Sequence, residues 1–323
     1  MHATIIGAAG MLGAKLAAHI ARTGRLGERA VERLTLVDVV APPVPDGWED
    51  RATAEVTDLS APGTAAALVA ARPDVIFHLA AIVSGEAERD FEKGYRINLD
   101  GTRELFEAIR AEGEDYVPRV VFSSSIAVFG APFPPSIGDD FHPTPLTSYG
   151  TQKAIGELLL ADCTRRGILD GVGLRLPTIC IRPGRPNLAA SSFFSNILRE
   201  PINGEEAVLP VPDTVRHWFA SPRAAIGFLV HAAGLDGAAI GPRRNLSLPG
   251  LSATVAEQIE SLGRVVGPEA VARIRREPDP AITAIVEHWA EALDARRATA
   301  LGFVAERSFD EIVRVYLEDE LGA

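Results

Sequence analysis

Cysteine is scarce in this chain of 323 residues, and Cys163 and Cys180 are the only two. Two thiols cannot form a disulfide framework or a multi-cysteine zinc site, so a reducing, cytoplasmic location is expected. The seven histidines are scattered, and no two of them lie at metal-ligand spacing with carboxylates. We therefore expect no bound metal.

Long apolar runs and an excess of basic residues are also missing. Every apolar stretch meets a charged residue, Gly or Pro before it reaches the ~20 residues that span a bilayer, and the amino terminus lacks a signal-peptide pattern. Basic residues number 32 against 43 acidic ones, which gives a net charge of −11. Because this charge repels phosphate backbones, the sequence argues against nucleic-acid and membrane partners.

Short aliphatic runs alternate with longer helical patterns over the first two thirds of the chain. The predicted strands are Ala3–Ile6, Leu34–Val37, Asp74–Leu79, Arg119–Ser123 and Gly173–Leu176. The predicted helices between them are Met11–Arg22, Pro62–Ala71, Phe91–Ala111 and Ser148–Arg166. Because such helices can connect parallel strands, the alternation predicts an α/β fold with a doubly wound parallel sheet.

Beyond Pro177 the pattern changes to Pro-rich connections with shorter helical patches. The patches are Pro222–Ala233, Thr254–Val265, Ile282–Ala295 and Phe309–Asp319. We predict one domain over residues 1–176 and a smaller lobe over residues 177–323. No linker rich in Gly and Ser separates the two, so we expect them to share a core, with room for interleaving, and to enclose a cleft.

A glycine-rich turn joins the first predicted strand to the first helix. Gly7, Gly10 and Gly13 are spaced G-x-x-G-x-x-G. The backbone N–H groups at the start of the helix, including those of Met11 and Leu12, are expected to point at a ligand bound there. Phosphate fits that place, and glycines let the backbone approach a pyrophosphate. The turn predicts a Rossmann-type dinucleotide site. The alternative is a turn with a purely structural role.

Asp38 ends the second predicted strand, where an acidic side chain can accept from both ribose hydroxyls of a dinucleotide. Its carboxylate would repel a 2′-phosphate, and the next four residues contain no Arg or Lys. The sequence therefore favours NAD over NADP. The alternative is that Asp38 only caps a turn.

Three residues form a candidate catalytic set. Tyr149 and Lys153 lie four residues apart on a predicted helix, so the phenol and the ammonium share one face, and the ammonium is expected to lower the pKa of the phenol. Ser125 belongs to a run of three serines at the predicted carboxyl edge of the sheet, where open α/β folds bind ligands. Either motif alone is common on protein surfaces, and Ser123 and Ser124 can equally cap a turn.

Further motifs complete a pattern that runs through nearly the whole chain. They are Asp58-Leu59, His78-Leu-Ala-Ala81, Asn98-Leu-Asp-Gly-Thr102, Arg175-Leu-Pro177 and Val215-Arg-His-Trp218. Together with the glycine turn and Tyr149-x-x-x-Lys153, they resemble the extended short-chain dehydrogenase/reductase superfamily. The resemblance implies additional cofactor-binding positions at Asp58, Leu59, Leu79, Ala80, Ala81, Asn98, Ser123 and Pro177.

Differences within the superfamily narrow the expected reaction. Sugar-nucleotide dehydratases carry an acidic pair after the serine that matches Ser125, whereas this chain has Ile126 and Ala127 there. Elimination of water needs a proton donor at that place, so a dehydratase is disfavoured. The segments that follow Arg175 and Val215 look most like the D-erythronate dehydrogenases, which oxidise a four-carbon sugar acid at C2. A nucleotide-sugar epimerase that holds NAD tightly is the alternative.

A sugar acid requires a carboxylate anchor, and the candidates lie beyond residue 176. Thr178, Arg182 and Arg216 are the expected substrate contacts, with Arg216 placed best by its resemblance to a diphosphate-binding arginine of the epimerases. Arg185 and His217 are further candidates. Each arginine could instead be a solvated charge or a structural ion pair. For two other side chains a structural role is favoured over a role in the site. Trp218 is expected in the core, and His78 is expected to be a buried structural histidine.

The expected mechanism is hydride transfer from C2 to NAD with proton transfer to Tyr149, while Ser125 holds the reacting oxygen and Lys153 tunes the phenol. A non-catalytic NAD sensor on the same fold is a third hypothesis. The helices Phe91–Ala111 and Ser148–Arg166 carry apolar residues on more than one face. By family resemblance they would form a four-helix interface in a homodimer.

Overall fold

A computed structural model describes residues 1–184 and 191–322 of the chain. Its strands are β1 (His2–Ile6), β2 (Arg25–Leu26), β3 (Arg29–Ala30), β4 (Arg33–Asp38), β5 (Ala52–Val56), β6 (Val75–His78), β7 (Arg119–Ser125), β8 (Asp170–Leu176), β9 (Thr178–Ile179), β10 (Ala207–Leu209), β11 (Arg216–Ala220), β12 (Asn245–Ser247), β13 (Leu251–Thr254) and β14 (Ile274–Arg276).

Its α-helices are α1 (Met11–Thr23), α2 (Thr64–Ala70), α3 (Ser84–Arg89), α4 (Phe91–Gly94), α5 (Gly101–Ala111), α6 (Ser148–Arg165), α7 (Ser192–Ile202), α8 (Pro222–Gly234), α9 (Gly237–Ile240), α10 (Val255–Val265), α11 (Pro268–Val271), α12 (Pro280–Val286), α13 (Arg296–Ala300) and α14 (Phe309–Tyr316). Ile126–Val128 is a 3-10 turn, and Tyr95–Asp100 and Leu317–Leu321 are π-helical. Among the described helices, none is both long enough and apolar enough to cross a membrane.

The central sheet confirms the predicted Rossmann-type α/β fold. Within the described residues its seven strands follow the order β12-β8-β7-β6-β1-β4-β5. The pairs β1–β4, β1–β6, β4–β5 and β6–β7 are parallel. β1 is buried along its whole length because helices cover both faces of a doubly wound sheet. Each predicted strand overlaps an observed strand of this sheet.

Contacts divide the chain into two compact units. Unit 1 comprises Met1–Val128, Thr147–Arg175 and Ile226–Leu246, and unit 2 comprises Phe129–Leu146, Leu176–Ala225 and Ser247–Ala323. A core of unit 1 packs around Phe122, Leu105 and Leu160. A core of unit 2 packs around Phe194, Phe219 and Ile312.

Three predicted helices differ from the observed chain, and the last of them, Phe309–Asp319, is α-helical only to Tyr316 and π-helical beyond it. Phe91–Ala111 is interrupted by the π-helical turn Tyr95–Asp100, which carries the buried Asn98. The pattern Ile282–Ala295 is helical only to Val286, because the chain then pairs with residue 137: the Ile137 N–H donates to the Ala292 carbonyl, and the Asp294 N–H donates to the Ile137 carbonyl. Tertiary hydrogen bonds have overridden local helix propensity there.

Candidate active site

The glycine turn of unit 1 combines a left-handed residue with a very close approach of two backbones. Gly7 has φ +94°, and a Cβ there would lie 2.6 Å from the Ala80 nitrogen. A Cβ on Gly13 would lie 2.1 Å from the Gly7 carbonyl oxygen. Any side chain at either position would therefore push the turn apart. Gly10 is the N-cap of α1, and no side chain of the described residues caps the helix there. The first N–H groups of the helix can therefore bind an anion.

Asp38 lies at the carboxyl end of β4 and is hydrogen-bonded to this turn. Its Oδ2 accepts from the Ala9 N–H at 2.9 Å, and its Oδ1 accepts from the Val39 N–H at 2.7 Å. Each carboxylate oxygen can accept a second hydrogen bond. Asp38 therefore organises the turn, as the capping alternative supposes, and still offers acceptors suited to a ribose.

The other expected cofactor positions of unit 1 surround the ends of the neighbouring strands. The Leu79 and Ala80 N–H groups donate to the Ile6 carbonyl, and Ala81 follows them. Ser123 is buried, and its hydroxyl donates to the His78 carbonyl at 3.0 Å. Its proton is therefore used in a hydrogen bond between β7 and β6. Asp58 accepts from Ser60 and pairs with Arg96, and Leu59 is 7% exposed.

Asn98 is buried in the π-helical turn, and its side-chain amide links two other segments of the chain. Its Oδ1 accepts from the Ile82 N–H at 2.9 Å, while its Nδ2 donates to the Ile82 carbonyl and to the Gln152 Oε1. Both amide protons are thereby used within the protein. Asn98 connects the segment after β6 to helix α6 and so fixes the helix that carries Tyr149.

The predicted catalytic residues come together in unit 1. Ser125 ends β7, and Tyr149 opens α6, whose start is fixed by the Thr147 hydroxyl accepting from the Gly150 N–H. The Ser125 hydroxyl is close enough to Tyr149 to lower the pKa of the phenol. The Lys153 Nζ lies 5.7 Å from the centre of the Tyr149 ring and 4.9 Å from that of Phe122. Phenol, hydroxyl and amine therefore occupy one place, as the sequence predicts.

The electrostatics of this set correct one prediction. Burial raises the pKa of Tyr149 to about 12, although the Ser125 hydroxyl lowers it. Burial also lowers the pKa of Lys153 to about 7, while the charge of Glu157 raises it. The expected lowering of the Tyr149 pKa by Lys153 is wrong for the protein alone, because loss of water disfavours both charged forms.

A polar network that the sequence reading missed lies one helical turn beyond Lys153. Glu157 is 2% exposed, accepts from the Ser124 hydroxyl at 2.5 Å and forms a bidentate pair with Arg175. It therefore links β7, α6 and β8, which neighbour the predicted catalytic residues. The i, i+4 spacing of Lys153 and Glu157 is the sequence signal that could have indicated it.

The cationic substrate candidates belong to unit 2 and differ in their partners. The Arg216 Nη2 lies 3.3 Å from the Glu257 carboxylate, and its Nη1 donates to Ser252. Arg182 donates to the Ser191 hydroxyl at 3.2 Å, and among the described residues it has no carboxylate partner. Burial lowers the pKa of Arg182, and the nearby Arg199 lowers it further. Arg185 lies outside the described residues.

Thr178 and His217 form a pair in the same unit. The Thr178 Oγ1 lies 2.7 Å from the His217 Nε2, and Thr178 directly follows Pro177 at the end of β8. His217 is 3% exposed, so it is enclosed by protein. Trp218 is 9% exposed and donates to the Leu248 carbonyl, in agreement with its reading as core. His78 is 1% exposed and hydrogen-bonded to Thr102, in agreement with a structural histidine.

NAD fits the residues of unit 1. The uncapped helix start, the acceptors of Asp38 and the buried Lys153 amine match a pyrophosphate and two riboses in charge and hydrogen bonding. Within the described chain, no carboxylate lies at ion-pair distance from Lys153. The amine can therefore donate to a ligand hydroxyl.

Comparison with known proteins agrees with these features. Residues 3–219 match the family described as the NAD dependent epimerase/dehydratase family. A D-erythronate dehydrogenase from Cupriavidus necator is 48% identical over 324 residues, covering 99% of this chain and 98% of that protein. A D-erythronate dehydrogenase from Haemophilus influenzae is 39% identical over 321 residues, covering 99% of this chain and 100% of that protein.

A solved structure shares the fold closely. It is described as the crystal structure of the nucleoside-diphosphate-sugar epimerase from Agrobacterium tumefaciens, with a TM-score of 0.97 and 66% identity, covering 100% of this chain and 95% of that one. These relatives are named for different reactions, a dehydrogenation in two cases and an epimerisation in the third. The chain belongs to the NAD-dependent epimerase/dehydratase family, the extended branch of the short-chain dehydrogenases/reductases.

Proposed function

We propose that this chain is an NAD-dependent dehydrogenase that oxidises the C2 hydroxyl of D-erythronate to 2-dehydro-D-erythronate. The placement of the Ser125 hydroxyl beside Tyr149, next to the buried Lys153, carries the proposal for the reaction type. The names of the two relatives at 48% and 39% identity support the substrate. Residues 1–176 are assigned to cofactor binding and catalysis, and residues 177–323 to substrate binding.

The proposed chemistry divides between the three side chains. NAD, when bound, supplies the hydride acceptor for the C2 hydrogen and a positive ring that favours the Tyr149 phenolate. The phenolate takes the proton of the C2 hydroxyl as the carbonyl forms, and Ser125 donates to the reacting oxygen. Lys153 binds a ribose hydroxyl of the cofactor and, as the ammonium, stabilises the phenolate.

The substrate carboxylate is assigned to Arg182 in preference to Arg216. Arg216 already has the Glu257 carboxylate as a partner. Arg182 shares its surroundings with a second arginine, Arg199, and the neighbouring residues 185–190 contain no Asp or Glu in their sequence. A carboxylate ligand would relieve the cost of a largely enclosed cation that has no anionic partner among the described residues. Thr178 is the remaining proposed substrate contact.

A nucleotide-sugar epimerase is the second candidate function. The description of the Agrobacterium tumefaciens structure, which is 66% identical, favours it. An epimerase oxidises and then reduces its substrate without net formation of NADH. The absence of an acidic pair at Ile126 and Ala127 disfavours a dehydratase but leaves the epimerase open.

The deciding experiment uses the purified full chain with NAD and records NADH absorbance. The panel contains D-erythronate, its C2 epimer, L-threonate and UDP-glucose, with NADP as the control for cofactor choice. Steady accumulation of NADH with D-erythronate supports the proposal. Interconversion of the nucleotide sugar without net NADH, together with no reaction on any tetronate, would establish the epimerase instead.

A further inference from the structure

The ring of His217 in unit 2 is packed among aromatic side chains, and both of its nitrogens are hydrogen-bonded. Its ring is stacked on Phe194, with 5.4 Å between the ring centres, and contacts Phe219 and Trp289. The Nδ1 lies 2.9 Å from the Ala290 carbonyl oxygen, and the Nε2 lies 2.7 Å from the Thr178 hydroxyl. Neither nitrogen faces a charged group among these neighbours.

The partners of the two nitrogens determine where the ring proton is. A carbonyl oxygen can only accept, so Nδ1 must carry a proton. Burial lowers the pKa of His217 to about 4, although the Ala290 carbonyl raises it, so the ring is neutral near pH 7. A neutral ring has one N–H, and the Nε2 is therefore an acceptor.

This assignment fixes the direction of the next hydrogen bond. The Thr178 hydroxyl has one proton and must donate it to the Nε2 of His217. Its oxygen is then left with lone pairs only, and Thr178 retains partial exposure. Thr178 lies directly beyond the carboxyl end of β8, the edge at which open parallel sheets bind ligands.

We infer that Thr178 is a specificity-determining residue that accepts a hydrogen bond from a non-reacting hydroxyl of the substrate, and that His217 is the positioning residue that makes Thr178 an acceptor. The inference rests on the proposed function. A carboxylate or keto oxygen at this place would face a second acceptor, whereas a hydroxyl would be bound. The substrate class is therefore an acid that carries a hydroxyl at C3 or C4, beyond the reacting C2.

The test compares D-erythronate with its 3-deoxy and 4-deoxy analogues, using the full chain with NAD. We expect the wild type to discriminate against one analogue in kcat/KM by roughly tenfold to 100-fold, the size of one unpaired hydrogen bond. Thr178→Val keeps the shape of the side chain and should abolish that discrimination. Thr178→Ser keeps the hydroxyl and should retain it, and the KM for NAD should not change in either variant.

His217→Phe provides a second test of the proton direction. With the ring acceptor removed, the Thr178 hydroxyl can donate as well as accept, so the preference for the hydroxylated substrate over the deoxy analogue should weaken. If this variant does not fold, the comparison of Thr178→Val with Thr178→Ser still decides the matter.

The outcomes separate this inference from the proposed function. If no tetronate is oxidised by the wild type, both fail. If D-erythronate is oxidised but the wild type uses both deoxy analogues equally well, or Thr178→Val lowers kcat/KM equally for all three acids, only the role of Thr178 is refuted.

Discussion

Glu157 and Arg175 form a buried bidentate ion pair between helix α6 and strand β8. The Arg175 Nη2 lies 2.7 Å from the Glu157 Oε2, and the Nε lies 2.9 Å from the Oε1. The side chains are only 2% and 9% exposed. Removing one partner would leave a buried charge without its neutralising counterpart beside the helix that carries Tyr149.

Arg175→Met should therefore lower the free energy of unfolding by about 3 to 5 kcal/mol. Glu157→Gln should have a similar effect, because it removes the carboxylate that neutralises the buried guanidinium. The double variant should recover much of this loss, since neither charge remains. Urea unfolding of all four proteins measures the coupling, and additive losses in the double variant would show that the pair is not a unit.

His78 should make the protein less stable in mild acid. Burial lowers its pKa to about 3, with the charge of Lys153 acting in the same direction, and its Nδ1 has no partner among the described residues. The unfolded chain takes up a proton near pH 6.5, whereas the folded chain does not, so stability falls as the pH drops below that value. The loss amounts to ~2 kcal/mol at pH 5.

His78→Gln should reduce this pH dependence, because the amide can still donate to Thr102 and does not titrate, while the buried His217 keeps its own contribution. Unfolding in urea between pH 7 and pH 5 measures the change. The exposed His288→Gln is the matched control and should leave the curve unaltered. An equal pH dependence in wild type and His78→Gln would assign the acid sensitivity to other groups.

Tyr149→Phe should separate catalysis from cofactor binding. Loss of the phenolic hydroxyl should lower kcat by roughly 100-fold to 10 000-fold, the contribution of a general base. The Kd for NAD should stay nearly constant, since we assign cofactor binding chiefly to the glycine turn and Asp38. Tyr95→Phe is the control. Activity and titration of NAD binding are the two measurements, and a parallel loss of both would contradict this division of roles.

Asp38→Asn should weaken the preference for NAD over NADP. The variant removes the charge that would repel a 2′-phosphate but keeps one oxygen that can accept from the Ala9 N–H. The ratio of kcat/KM for the two cofactors should shift toward NADP, chiefly through a lower kcat/KM for NAD. An unchanged ratio would mean that Asp38 does not lie at the ribose.

The sequence predicted the parts of the fold that depend on local pattern. Buried β-branched runs predicted the central strands, and the glycine turn was recognisable because only glycine tolerates the φ of Gly7. β5 escaped prediction because it is an edge strand with exposed residues such as Val56, which is 62% exposed. The end of α12 at Val286 depends on pairing with Ile137, a contact that is distant in sequence.

In the candidate site, too, local spacing predicted some residues, whereas contacts between distant segments determine the others. Tyr149 and Lys153 were found by their spacing, whereas the Ser124–Glu157–Arg175 network depends on three separate elements. The direction of the pKa shifts also required the structure, because burial outweighs the effect of the Ser125 hydroxyl on the pKa of Tyr149 and the charge of Glu157 on the pKa of Lys153. Which residues contact substrate and cofactor stays a prediction until the variants are measured.

Self-association through helix α6 is the last prediction. Leu158 projects from this helix with 71% of its surface exposed, and Phe91 of α4 is 59% exposed. Burying such side chains against a second copy would contribute roughly 1.5 to 3 kcal/mol each. We propose a homodimer that uses these helices, and Leu158→Glu should shift it toward monomer.

Sedimentation of the purified chain at micromolar concentration is the measurement. Val304 is 72% exposed but lies in a different part of the chain, so Val304→Glu adds the same charge at an equally exposed apolar position and should leave the dimer intact. A dimer that dissociates only in Leu158→Glu would place the interface on α6, because a general effect of charge would act on both variants. A monomeric wild type, or a Leu158→Glu variant that stays dimeric, would exclude this interface.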